Sequence, residues 1–438
     1  MPTSVDTIIS ARWVIPVEPF GTILEQHAVV IQHGRILAIL PATQARQQFV
    51  ANETIELDDH ALMPGLINSH THASMNLLRG IADDLPLMDW LNHHIWPAEQ
   101  KWVGEKFIAD GTRLAIAEMI KSGTTCFNDM YFFPNISAQV AAAVGMRAML
   151  GMIVIDFPSA WAQDTNAYFS KGLELHDQYR DHPLVSTALA PHAPYSVCDE
   201  AFKRVQMIAN ELDCQVHVHV HESADEINMS LEQYKMRPLE RLNKLGLLSP
   251  AMVAVHMTQL NQAEIELIAE SGVNVVHCPQ SNLKLASGFS PVTELMAAGV
   301  NVALGTDSSA SNNNLDMLEE MQWAAQLAKG VSNNPSSLPA YQALQMATIN
   351  GAKALGLESE TGSLLAGKAA DIIAINLHQL NTMPVYNPVS QIVYAANSRQ
   401  ISDVWIAGKR QLRQGQLVNF DEAELLMLAQ DWAERIRS

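Results

Sequence analysis

The chain has 438 residues, of which 48% are hydrophobic and 17% charged, and its formal net charge at pH 7 is −19. That length is too great for one small core and fits two or three units, or one barrel with an accessory unit. The negative balance speaks against nucleic acid or an anionic membrane surface as partner, since both require a clustered basic face, and no apolar run reaches the ~18 residues a membrane span needs. A small molecule of neutral or modest charge is the expected partner.

The opening stretch MPTSVDTIISARWVIPVEPF lacks a basic segment followed by an apolar one, so no secretory signal is read there and the cytoplasm is the expected compartment. Its continuation to about residue 61 reads as short strands broken by turns, with His33-Gly34 as a hairpin turn and no obvious helix. From residue 62 the texture changes to short apolar runs alternating with amphipathic stretches. The runs are ALMPGLIN, TTCFND, RAMLGMIVI, VSTALAP, CQVHVHV, AMVAVHM, VNVVHCP and VNVALGTD. Between them lie helical patterns such as EKFIADGTRLAIAEMIKSG and NQAEIELIAESG, several ending in glycine as helix C-termini do. Eight such alternations predict an α/β fold, a (β/α)8 barrel over residues 62–361. Strand texture returns in GSLLAGKAADIIAINL and ISDVWIAGKRQL. These segments, residues 362–438, are expected to pair with residues 1–61 in a discontinuous β-sandwich domain closed by the helix DEAELLMLAQDWAERIR. Four cysteines, Cys126, Cys198, Cys214 and Cys278, lie far apart with no CxxC spacing and read as reduced core thiols.

In such a barrel the C-terminal ends of the strands line the active-site mouth. The first run ends in INSHTH, which puts His70 and His72 on one face of an extended segment. Two adjacent imidazoles make half a tetrahedral metal site. The fifth run ends VHVHVHE, the sixth carries His256 and the eighth ends in Asp307, so imidazoles and a carboxylate reach one rim from four strands. Three histidines and an aspartate, with a position left for water, suit a borderline divalent ion such as Zn2+, and Fe2+ or Ni2+ accept the same ligand types. Alternation sends His217, His219 and His221 to the same side, so period alone does not choose among them.

The motifs MPGLINSHTHASMNLLRG, HVHES, PHAPYS, SNLKLASG and LGTDSSASNNNLDM resemble the amidohydrolase superfamily, in particular its branch of methylthioadenosine/S-adenosylhomocysteine deaminases. The resemblance runs from the N-terminal strands through GKAADIIAINL. Binuclear members carry a carboxylated lysine at the end of the fourth strand, where this chain has His192, so the resemblance implies one metal held by His70, His72, His219 and Asp307. His219 is chosen because it precedes Glu222 by the spacing the family uses. His217 is then a deeper hydrogen-bonded core residue, and His221 a reserve ligand.

The implied reaction is hydrolytic deamination at C6 of an adenine nucleoside, with water activated on the metal. Glu222, where the fifth strand ends, is the proton shuttle to N1; His256 orients the attacking oxygen; Asp307 is both ligand and base. The resemblance gives Trp90 as a wall of the nucleoside pocket, Glu99 as acceptor for the ribose hydroxyls and His192 as a hydrogen-bond partner of the purine or ribose. Some thirty residues separate His72 from the next helix, a length that fits a lid. The segment after the third strand holds no arginine and one cation, Lys171, so an uncharged methylthio tail resting on Phe157, Met75 or Trp161 is expected over the zwitterionic tail of S-adenosylhomocysteine. Adenosine stays open as a substrate, as do guanine and triazine-type rings and a non-catalytic metal scaffold. A homo-oligomer is a family-level expectation. HESAD departs from the HExxH zinc motif at Asp225, and the PCxxC of cytidine deaminases is absent.

Overall fold

A computed structural model describes residues 2–437, which form two sheets. The N-terminal strands are β1 (Thr3–Val14), β2 (Leu24–Gln32), β3 (Arg35–Pro41) and β4 (Phe49–Pro64). The parallel strands of the barrel follow: β5 (Leu66–Thr71), β6 (Thr124–Asp129), β7 (Arg147–Val154), β8 (Val185–Pro191), β9 (Val216–Val220), β10 (Met252–His256), β11 (Asn274–His277) and β12 (Val302–Leu304). Each overlaps one of the eight apolar runs. The chain ends with β13 (Ile372–Asn376), β14 (Ile401–Ile406), β15 (Lys409–Arg413), β16 (Gln416–Leu417) and the helix Glu422–Arg437.

The barrel strands pair in sequence order from β5 to β12. The seam between β12 and β5 is bridged by Asp307 N–H donating to the His70 carbonyl at 3.0 Å and by Asn68 Nδ2 donating to Thr306 Oγ1 at 2.7 Å. Gly305 permits this approach, because a Cβ there would lie 2.8 Å from backbone atoms of His70. The seam thus sets Asp307 beside the first pair of histidines.

The other sheet has the order β16-β15-β14-β13-β4-β1-β2-β3, so the two ends of the chain share one mixed sheet. His33 and Gly34, with φ of 51° and 76°, turn β2 into β3 as the dipeptide predicts. One expectation fails here: Ala42–Gln48 is a helix inside the segment read as helix-free. ATQARQQ has good helix formers, but seven residues with only Ala45 buried carry too little periodicity to be seen.

β4 passes directly into β5 through Gly65, where a Cβ would sit 2.0 Å from Thr125 Oγ1. The two sheets are also tied by a buried ion pair, Arg147 Nε to Asp371 Oδ2 at 2.7 Å, whose second carboxylate oxygen accepts from Ala407 N–H at 2.7 Å. The C-terminal helix, expected to close the β unit, packs on the barrel helix Glu105–Lys121 instead. Trp432 lies 5.3 Å from the Phe107 ring and donates from Nε1 to Asp110 at 2.9 Å. No helix among the described residues is long and apolar enough to cross a membrane.

Candidate active site

The strand ends of the barrel open into a cavity lined among others by His72, His192, His219, Glu222, His256 and Asp307 below and by Trp90, Trp96, Glu99, Tyr131 and Phe157 above. His70 lies beneath the floor and is fully buried. Of the sequence-predicted residues, Trp90, Glu99, His192 and the expected metal and catalytic groups are therefore gathered in one place.

Backbone and side-chain partners aim the imidazoles. His72 Nδ1 donates to the Met130 carbonyl, and His219 Nδ1 donates to the His192 carbonyl at 2.8 Å, so each ring turns Nε2 inward. His70 Nδ1 meets His217 Nε2 at 2.9 Å, which leaves His70 Nε2 facing the same point. There His219 Nε2 stands 3.2 Å from His70 Nε2, while Asp307 Oδ1 stands 3.3 Å from Nε2 of both His70 and His72. His70, His72 and His219 form one cluster with metal-ligand geometry, and His70, His256 and Asp307 another that shares His70.

Charge fits this reading. Burial pushes His70 down to about 4 and holds His219 well below the usual imidazole value, which favours the neutral form of both rings. Burial also pulls His72 down, yet the hydrogen bond and charge of Asp307 outweigh it and raise the ring. Asp307 itself stays far below the carboxylate range despite its burial, because His70 and His72 stabilise its charge. Lone pairs crowded around a carboxylate oxygen repel each other unless a cation sits among them, and this N3O donor set suits a divalent ion.

Asp307 has φ of 60°, and its Oδ2 accepts from Ser281 Oγ at 2.6 Å and Ser311 Oγ at 3.0 Å, leaving Oδ1 turned to the histidines. His256, at φ 77°, sets Nδ1 2.9 Å from Asn282 Oδ1 and Nε2 3.8 Å from Glu222 Oε1. Left-handed backbone at bulky residues is strained, and its clustering at this rim reflects placement that the surrounding fold enforces. Glu226 pins the turn below Glu222 by accepting from the backbone N–H of His221 at 3.0 Å and of Glu222 at 2.8 Å. Burial raises the Glu222 carboxyl, with Asp307 adding to the effect and His256 opposing it.

Two expectations are corrected. His221 lies one residue past β9 at φ 55°, and its Nε2 faces Leu239 N–H at 3.1 Å and Glu264 at 3.7 Å, so the ring leaves the site and is no reserve ligand. Trp161 does not line the cavity; it is buried against Ile153, Ile155 and Tyr168 and donates from Nε1 to Asn135 at 3.2 Å. Met75 and Phe157 do line it, and among the described residues no lysine or arginine does. His192 holds Ser196 Oγ at 2.8 Å through Nδ1 and is pushed down to about 3 by burial and then by His72 and His70. Trp90 is 5% exposed, and Glu99 accepts from Tyr131 Oη at 2.7 Å. Sequence reasoning missed Tyr131, Ser281 and Ser311: Tyr131 stands two residues past β6, the kind of position that served to find the histidines, whereas Ser281 and Ser311 lie in the short helices Pro279–Lys284 and Ser309–Asn312 that follow β11 and β12.

The sequence profile of the Amidohydrolase family matches residues 61–410. A 5-methylthioadenosine/S-adenosylhomocysteine deaminase of Teredinibacter turnerae is 48% identical over 99% of this chain and 98% of its own, and one of Saccharophagus degradans is 47% identical over 100% and 98%. Among solved structures, an adenosine deaminase from Xanthomonas campestris with bound zinc superposes with a TM-score of 0.99, at 52% identity and full coverage of both chains. A zinc-complexed atrazine chlorohydrolase from Arthrobacter aurescens, at 24% identity, covers 97% of this chain and 99% of its own with a TM-score of 0.91, a likeness of fold alone. With that profile over most of its length and relatives similar from end to end, the chain belongs to the amidohydrolase family.

Proposed function

We propose that the protein is a metal-dependent aminohydrolase that deaminates an adenine nucleoside at C6, with 5'-methylthioadenosine as its preferred substrate. The observation that carries this reading is the convergence of three histidine Nε2 atoms and Asp307 Oδ1 on one point, with the buried Glu222 carboxyl beside it in the cavity. Relatives alike over the whole chain and named as such deaminases support it. In this reading residues 62–361 form the catalytic barrel, and residues 1–61 with 362–438 the accessory unit.

His70, His72, His219 and Asp307 would hold one divalent ion, which we propose to be zinc, as in the Xanthomonas campestris relative. When bound, such an ion lowers the pKa of a coordinated water towards ~7 and so supplies a nucleophile for C6 at neutral pH. Glu222, its proton held more tightly because it is buried, donates to N1 and makes C6 electrophilic. His256 Nε2 orients the attacking oxygen. Asp307 takes the proton from that oxygen and passes it to the departing ammonia; the serine hydroxyls on its Oδ2 keep Oδ1 on the reacting side. His192 faces the purine or ribose, Trp90 walls the nucleoside and Glu99 accepts the ribose hydroxyls.

The absence of lysine and arginine from the lining among the described residues supports the methylthio nucleoside over S-adenosylhomocysteine, whose amino-acid carboxylate would go unpaired. Steady-state kinetics on both, following loss of the adenine absorbance with metal-replete and chelated protein, test the whole reading. We expect activity only with metal and a kcat/KM about tenfold higher for 5'-methylthioadenosine. No turnover of any adenine nucleoside removes the deaminase reading, and a higher value for S-adenosylhomocysteine reverses the order of substrates. Adenosine is the second candidate, favoured by the 52% identity to the Xanthomonas campestris enzyme of that name.

A further inference from the structure

Glu99 rises from the helix Trp96–Trp102 on one wall of the cavity, and Tyr131 stands two residues beyond β6 on another. The Tyr131 hydroxyl donates to Glu99 Oε1 at 2.7 Å, and among the described residues this is the one hydrogen bond given to that side chain. Among the described residues no lysine or arginine lines the cavity to compete for the carboxylate. The terminal torsion of a glutamate is broad, so a carboxylate without an anchor would sample many orientations. Tyr131 is itself fixed: it is 4% exposed, packs among Met75, Leu87, Trp90 and Ile95, and its ring lies 5.4 Å from that of Phe132.

We propose that Tyr131 is a specificity-determining positioning residue, whose hydroxyl holds the Glu99 carboxylate in the orientation that accepts the two vicinal hydroxyls of the ribose. This rests on the reading of Glu99 given above. A carboxylate offers about four acceptor sites, and the phenol occupies one of them on Oε1. The remaining site on Oε1 and those on Oε2 are left for a diol. Electrostatics act in the same direction: burial pushes Glu99 up to about 7, and the phenol hydrogen bond opposes that by stabilising the ionised form, the better acceptor. The aromatic ring alone would fill the same space, so the hydroxyl is the functional part.

The test is the ratio of kcat/KM for 5'-methylthioadenosine to that for its 2',3'-dideoxy analogue, measured for metal-replete wild type, Tyr131→Phe and Glu99→Gln. A ratio within one enzyme is indifferent to the fraction folded. Both variants are expected to lower it by about tenfold, the worth of a charge-assisted hydrogen bond, with the loss for Tyr131→Phe falling in KM for the ribonucleoside. If Glu99→Gln lowers the ratio and Tyr131→Phe does not, the inference is overturned while the reading of Glu99 stands. If Tyr131→Phe alone lowers it, the phenol reads the diol directly and the positioning role is lost. A ratio unchanged in both variants, or a wild type inactive on both nucleosides, overturns the reading of Glu99 and the inference together.

Discussion

The floor and the roof of the cavity are built from different materials. The floor consists of strand ends, where ladder hydrogen bonds fix the backbone and nearly every ring or carboxylate is aimed by a second group: His70 by His217, His72 by Met130, His219 by His192, Asp307 by Ser281 and Ser311. The roof, residues 73–102 together with Tyr131 and Phe157, consists mainly of short helical pieces whose inward face is aromatic and aliphatic, with the Glu99–Tyr131 bond as a polar exception. It is fastened at its edge by the ion pair of Asp83 with Lys284 at 2.6 Å. In the proposed function, chemistry that tolerates little displacement would sit on the ladder-fixed floor, and recognition by shape on the roof.

If that division is right, the floor should be sensitive in rate and metal affinity, and the roof in KM. The largest effect is expected from Glu222→Gln, which keeps the shape and hydrogen-bonding capacity but cannot shuttle a proton. Its kcat should fall by at least ~100-fold with metal content unchanged. Loss of metal in this variant would make Glu222 a ligand and redraw the floor. Next comes His217, which touches no solvent and acts only through His70. With Nε2 of His70 given to a metal, its Nδ1 must carry the proton and donate to His217. Removing that acceptor in His217→Leu should weaken metal binding by about 10–100-fold in a chelator competition, and His217→Gln, which restores an acceptor, should recover much of it. Equal affinities for the two variants would reduce His217 to packing.

These two residues also show what was legible in the sequence. Position along a strand was enough to bring His70, His72, His256, Asp307 and the histidines of the fifth run to one rim, because a parallel barrel brings every strand end there whatever the loops do, while the choice of His219 within that run rested on the family's spacing to Glu222. Where the chain leaves the ladder, that logic stops. His221 follows the alternation of His217 and His219 in sequence, yet one left-handed residue at φ 55° turns its ring out of the site. Trp161 lies in a loop whose path no period describes, and it is buried against Tyr168. The contacts of the C-terminal helix were equally hidden: an amphipathic pattern tells that one face is covered, and says nothing of what covers it.

The roof predictions are smaller. Phe157 is 40% exposed at the cavity mouth, with its ring 6.3 Å from that of Trp96. Phe157→Ala should lower kcat/KM for 5'-methylthioadenosine by about fivefold, the worth of one or two buried methyl-sized groups, and leave adenosine almost unaffected. Equal losses for the two nucleosides would place the 5' substituent elsewhere.

The smallest effect tests the support of the roof from behind. Trp432 belongs to the apolar cluster that contains Met75, Leu87 and Trp90, and it stands 6.4 Å from Trp102 at the end of the helix that carries Glu99. It does not line the cavity and lies far along the chain from every proposed catalytic group. Trp432→Ala would leave a void behind the roof, and the side chains facing the substrate would then be ordered only when the nucleoside binds. That ordering costs binding free energy but does not alter the floor, so KM should rise by about threefold with kcat unchanged. A fall in kcat with KM unchanged would mean that this helix braces the strand ends as well, and that floor and roof are mechanically one body.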